Sequence, residues 1–176
     1  MPEGEIDEGV SRLQTLDLLG SRTLGEWQGQ PVELGLGLNW REEGLRYRPR
    51  LGGLQDFEAR RQIRAAHGEL RLPVSERQQL TLALRQDHYS DMGAVRTGKL
   101  AWRWQALPTL MTRASVGQGF RAPALGQRSA LQAPGLDVQD PLAGQRVAVL
   151  LRGNPDLTPE RTRDLSLGLR LEPARS

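Results

Sequence analysis

Four places in this sequence hold residues whose type and spacing invite chemistry. Gly117-Gln118-Gly119-Phe120-Arg121-Ala122 matches the pattern G-x-G-x-x-A. That fingerprint grips a dinucleotide only where a strand ends and a helix opens, so that backbone amides meet the pyrophosphate. Pro123 and the Gly- and Gln-rich run after it supply neither, so the match is coincidence. His88 stands between Asp87 and Tyr89, a trio able to pass a proton, but neighbours in a strand point to opposite faces. Ser115 and Ser129 have neither histidine, His67 or His88, at a nucleophile–base spacing. Asp87, Asp91 and Asp156 could surround a cation, although scattered loop aspartates usually cap turns. With no cysteine there is neither thiolate nor disulfide. No catalytic residue, metal site or cofactor is assigned, and the chain is not read as an enzyme.

The elements that must position these residues follow from composition and pattern. The 176 residues are 38% hydrophobic, 26% charged and 5% aromatic, which suits one domain or part of one. No run approaches the ~18 apolar residues of a membrane-spanning helix. The 20 glycines and 11 prolines punctuate the chain too often for long helices. The sequence pI is about 10.1, yet 24 cations face 21 anions and Lys99 is the sole lysine. So balanced a chain argues against a nucleic-acid partner, and an arginine-rich nucleic-acid binder remains a minor alternative. Residues 1–10 read as a flexible acidic N-terminus, and Met1–Glu8 has no apolar core of a secretory signal.

Alternation is the main signal. Leu34, Leu36, Leu38 and Trp40 share one parity against Glu33, Gly35, Gly37 and Asn39. Leu80, Leu82 and Leu84 oppose Thr81, Ala83, Arg85 and Asp87. Leu100, Trp102 and Trp104 oppose Lys99, Ala101, Arg103 and Gln105, and Leu165, Leu167, Leu169 and Leu171 oppose Ser166, Gly168 and Arg170. Period two means strands with one apolar and one polar face. Segments 11–20, 60–73 and 110–119 fit less cleanly, and together they make about seven strands. Tight turns near 24–30, 75–78 and 106–108 alternate with connections at 43–59, 90–95 and 121–161. Short turns at one end and longer loops at the other mark an all-β, antiparallel up-and-down meander, a partial segment of a transmembrane β-barrel. A soluble β-sandwich binding module is the alternative; it would show more even connections.

On the barrel reading the Leu and Trp rows meet hydrocarbon. The polar parity lines a wet lumen, with Arg85, Asp87, Lys99, Arg103, Arg113 and Arg170 as lumen-facing candidates. Arginine on the lipid face would cost ~2–4 kcal/mol at mid-depth, so the fall of Arg85, Arg103, Arg113 and Arg170 on the polar parity is informative. Trp27, Trp40 and Trp104 fall near strand ends, as interfacial aromatics do.

From Leu82 onward the chain resembles the barrel of TonB-dependent outer-membrane receptors. The resemblance rests on Leu84–Gly93, on Lys99–Trp104, and above all on two elements flanking one long loop. The first is Gly119-Phe120-Arg121-Ala122-Pro123; the second is Gly153-Asn154-Pro155-Asp156-Leu157-Thr158-Pro159-Glu160. Looser likenesses are Trp40-Arg41-Glu42-Glu43 and Ala66–Pro73, with His67 where a tyrosine is usual. Gly98 and Gln86 depart from the family's usual proline and tyrosine. Pro123 and Pro155 fix the backbone where strands leave and re-enter the sheet, and Arg121 could fork onto Glu160.

The resemblance implies residues 11–176 as a partial receptor barrel with long loops 43–59 and 121–161. It also implies an intact relative taking up a scarce ligand, an iron–siderophore, cobalamin or similar, by energy-coupled transport across the cell outer membrane. Partners would be outer-membrane lipid, a small-molecule ligand such as a metal chelate, and the TonB complex only through a plug that this chain does not show. Full transporters close with ~22 strands, so the lone chain is expected to be a transport-incompetent fragment. The arginine excess of the lumen parity favours an anionic ligand.

Overall fold

A computed structural model of the chain describes residues 8–48, 56–128, 132–134, 138–139, 142, 144–147 and 150–172. Seven long strands form one antiparallel sheet: β1 (Glu8–Trp27), β2 (Gln30–Arg48), β3 (Phe57–Ser75), β4 (Gln78–Tyr89), β5 (Gly93–Leu107), β6 (Leu110–Arg121) and β11 (Glu160–Leu171). Between β6 and β11 lie α1 (Leu125–Arg128) and four short strands, β7 (Gln132–Pro134), β8 (Val138–Gln139), β9 (Arg146–Val147) and β10 (Leu150–Arg152). The order β1-β2-β3-β4-β5-β6-β11 is that of a meander, with β10 pairing β7 and β8 pairing β9 in two small sheets. The large sheet does not close; β1 and β11 are its edges.

The seven expected strands are all present, and they are longer than the alternation shows. β1 already begins at Glu8, so residues 8–10 are strand rather than tail, and the rest of the expected acidic N-terminus lies outside the described residues. β2 runs to Arg48 and β3 starts at Phe57, so the first long connection is shorter than 43–59. Cross-strand pairs hold this extension together, Arg46 with Glu58 at 3.1 Å and Gln62 with Glu42 at 3.3 Å. The β1–β2 turn places Gln28 at φ 53° and Gly29 at φ 72°, the left-handed pair of a type I′ hairpin.

Register carries the alternation across the sheet. Leu70, Leu82, Leu100, Val116 and Leu165 are successive partners on β3, β4, β5, β6 and β11. Leu72, Leu80, Trp102, Ala114 and Leu167 form the next such row. A slip of one residue on any strand would turn its leucines to the other face, so the rows fix the register. On this apolar face the large side chains lie open: Leu84 is 60% exposed and Leu167 77%. A sandwich would cover them with a second layer, and no such layer packs on the sheet among the described residues.

The chain separates into two compact units: residues 1–14, 41–62 and 122–159 in one, and 15–40, 63–121 and 160–176 in the other. The core of the second unit is on the polar face. Ile63, Ala65, Asp87, Tyr89 and Val95 are buried, with Ile63 opposite Tyr89 and Asp87 opposite both Ala65 and Val95. Phe120 meets the Tyr89 ring edge-on at 6.0 Å. Trp102 and Trp104 stack at 5.7 Å near the β5–β6 turn.

Candidate functional site

The polar face has two electrically different halves. On β1 to β4 its charges are matched. Asn39 Nδ2 donates to Thr15 Oγ1 and Asp17 Oδ1 at 3.2 and 2.7 Å. Arg71 bridges Glu69 and Glu33 at 2.9 and 3.4 Å. Arg85 forks onto Asp87 through Nε and Nη2 at 2.8 and 2.7 Å. Asp87 is 2% exposed, so this bidentate pair supplies what a buried carboxylate needs.

On β5 and β6 the cations lack such partners. Among the described residues no carboxylate comes within ion-pair distance of Lys99, Arg103 or Arg113. Arg103 and Arg113 are directly opposite in register, a like-charge pairing that costs stability. They border a groove of about 500 Å3 that Gln79, Thr81, Lys99 and Ser166 also line. Gly168 makes room for the Arg113 side chain: a Cβ there would meet its Nε at 2.6 Å. Arg170 sits on the same face and pairs with Glu172. All six candidates of this parity therefore share the polar face. Three of them converge on one groove, while Arg85, Asp87 and Arg170 are already engaged.

The two loop-flanking elements meet. In the sheet, Gly119 stands opposite Thr162 and Arg121 opposite Glu160. The Arg121–Glu160 ion pair does not form; no bridge joins the two side chains. Both are exposed, and two solvated side chains gain little from pairing while losing rotamer freedom. In the other unit, the Pro123 carbonyl accepts from Arg61 Nη1 at 2.8 Å. Arg61 also reaches Glu43 Oε2 through Nη2 and Nε at 2.6 and 3.1 Å, and it is 5% exposed. Just past Ala122 and Pro123, the Gln127 carbonyl accepts from the Asn154 amide at 2.6 Å. Arg128 donates to the Leu157 carbonyl. Asn154 Oδ1 accepts from the Asp156 amide at 2.9 Å, an Asx turn closed around Pro155. Gly153 leads into that turn, and Pro159 ends it before Glu160 opens β11.

Arg61 escaped the sequence reading, although its parity with Ile63 and Ala65 places it among side chains that become buried. Among the described residues no group of three metal-ligating side chains comes together, and Asp87 is held by Arg85. No helix of the described residues is long and apolar enough to cross a membrane; this has no bearing on crossing by strands.

One open antiparallel meander, greasy on one face and charged on the other, defines the wall of a transmembrane β-barrel. The family described as TonB dependent receptor-like, beta-barrel matches residues 7–176, and the chain belongs to it. Solved structures agree on the fold. The siderophore receptor PirA from Pseudomonas aeruginosa matches 93% of this chain with 30% of its own, at 24% identity and a TM-score of 0.73. PirA from Acinetobacter baumannii matches 93% with 25% of its own, at 22% identity and 0.72. A ferric enterobactin receptor (PfeA) mutant from Pseudomonas aeruginosa matches with the same coverages at 23% identity and 0.72. The chain thus spans 25% to 30% of the length of these proteins. A comparison with curated proteins finds no match to this sequence.

Proposed function

We propose that this chain forms part of the wall of an outer-membrane receptor that takes up a scarce ligand by energy-coupled transport. The observation that carries the reading is the separation of faces: aliphatic rows run across five strands on one side, and ion pairs with an unmatched cationic groove lie on the other. In this reading the apolar rows meet outer-membrane lipid and the polar face lines the path. Lys99, Arg103 and Arg113 favour an anionic ligand, such as an iron chelate carrying net negative charge. The solved relatives named as siderophore and ferric enterobactin receptors support that class, and cobalamin is the less favoured cargo because it brings no comparable anionic demand. The TonB complex would engage a plug inside the closed barrel rather than this wall.

The open sheet has unpaired backbone groups along β1 and β11, each costing several kcal/mol in hydrocarbon, so the chain by itself does not transport. The test exports the chain behind a signal sequence, alone and in place of the matching segment of a siderophore receptor. Expected results are recovery of both in the outer-membrane fraction and ferric-siderophore uptake by the chimera only. A monodisperse chain in the soluble fraction without detergent, or uptake by the chain alone, refutes the proposal.

A further inference from the structure

The apolar face carries a groove of about 470 Å3 spanning β4, β5, β6 and β11. Leu82, Leu84, Leu100 and Val116 wall it. Its floor is Gly98, where a Cβ would meet Leu84 Cδ2 at 3.2 Å; the missing side chain keeps the trough open. Arg96, Gln118 and Arg163 line the same trough. With Arg161 they also line the groove that adjoins it. Register places these side chains on the leucine face: Arg96 is opposite Gln86 and donates to its Oε1 at 2.8 Å, and Arg163 is opposite Gln118.

Two arginines at the end of an aliphatic trough are a costly arrangement unless something neutralises them. In the other unit, Arg46 and Arg60 both find Glu58. Arg96 has only a neutral amide, and among the described residues neither Arg96 nor Arg163 has a carboxylate partner. Both follow a connection at the long-loop end of their strands, where the outward row changes from Leu100 and Gly98 to Arg96 and from Leu165 to Arg163. Guanidinium groups at that level meet headgroup phosphates, which they bind as a planar fork.

The geometry points to a binding site for one anionic, phosphate-bearing membrane lipid, with an acyl chain in the Gly98 trough and the phosphate between Arg96 and Arg163. Charge complementarity selects an anionic headgroup, and the trough selects a lipid over a free anion. The site rests on the reading that the leucine face meets lipid.

The test uses the full chain folded in a neutral detergent and offers it phosphatidic acid, phosphatidylcholine or inorganic phosphate, with retention read by native mass spectrometry. Phosphatidic acid is expected to be retained at least tenfold over phosphatidylcholine. Arg96→Gln with Arg163→Gln should abolish that preference while leaving phosphatidylcholine retention unchanged. Arg103→Gln with Arg113→Gln, on the opposite face, should leave the preference intact. A diazirine on the acyl chain should label Leu84, Leu100 or Val116, and Gly98→Leu, which fills the trough without touching charge, should cut that labelling several-fold. Gly98→Leu also serves if the double arginine variant fails to fold. Retention of phosphatidylcholine with no preference for phosphatidic acid overturns this site alone. So does displacement of the lipid by millimolar phosphate, which would mark a free-anion site. If neither lipid is retained, the membrane-facing reading of the sheet falls with it.

Discussion

Leu82 and Ala83 are adjacent on a central strand, and the two readings of the sheet make opposite demands on them. Leu82 stands between Leu70 and Leu100 in the aliphatic row, while Ala83 stands between Glu69 and Lys99 on the polar face. If the row meets hydrocarbon, Leu82→Arg places a guanidinium near mid-depth and costs ~2–4 kcal/mol. Losing two cross-strand leucine contacts adds roughly 0.2–1 kcal/mol each. The sum, about 2.4–6 kcal/mol, is a factor of roughly fifty to twenty thousand in the folding equilibrium at ~1.4 kcal/mol per tenfold. Ala83→Arg puts the same group in a wet lumen between Glu69 and Lys99, where attraction to one and repulsion from the other are both weak between exposed groups, so the cost should stay under about 1 kcal/mol. Urea titration of each variant in phosphatidylcholine vesicles, followed by Trp102 and Trp104 fluorescence, measures the difference. Were the face bathed in water, Leu82, already 43% exposed, would accept arginine freely and Ala83 would be the sensitive site. A Leu82→Arg variant as stable as the parent refutes the lipid-facing assignment.

Three further outcomes are expected. Arg61→Ala leaves Glu43 and the Pro123 carbonyl without their buried partner and should destabilise by ~2–4 kcal/mol, and Arg61→Met, which leaves the same two acceptors unpaired, should recover only the lost side-chain packing; denaturant midpoints of the two variants decide it. At Gly37 a Cβ would meet His67 Cε1 at 2.2 Å and Leu19 Cδ2 at 2.8 Å, so Gly37→Ala should cost ~1–3 kcal/mol; His67→Ala in the same chain should relieve part of it, and an additive double variant would contradict the clash. Hydrogen bonds from Arg60 and then Arg46 hold the Glu58 carboxyl below the ordinary glutamate range. Its contribution to stability is therefore present above the unfolded-state value and lost as pH falls through the lower folded-state one; NMR titration should show the Glu58 value rising in Arg60→Gln.

What could be read from the residues alone was whatever the two faces made different. Leu34 to Trp40 and Leu165 to Leu171 declare themselves as strands because one side is aliphatic and the other polar. Past those rows both sides are polar, as at Glu42, Arg46, Glu58 and Arg60, and period two vanishes although pairing continues. That is why β1, β2 and β3 reach further than the alternation shows. The polar parity of Lys99, Arg103 and Arg113 was legible for the same reason. Their convergence on one groove was not, because it depends on which strands lie side by side and in what register. Arg61 looked like any surface arginine, since burial on the polar face leaves no hydrophobic signature. The expected Arg121–Glu160 pairing fails although the sheet sets the two directly opposite, because register alone does not oblige exposed side chains to bond.

The confrontation of Arg103 with Arg113 has a thermodynamic corollary. Two unneutralised guanidinium groups repel, and with a Debye length of about 10 Å at 0.1 M that repulsion softens as mobile ions accumulate. This part of the wall should therefore tighten with added salt, while the matched region around Arg71 and Arg85 should slacken. Multivalent counterions should act at lower concentration than chloride. The facing pair of Arg103 and Arg113 is thus the part of the polar face that external negative charge should ease most.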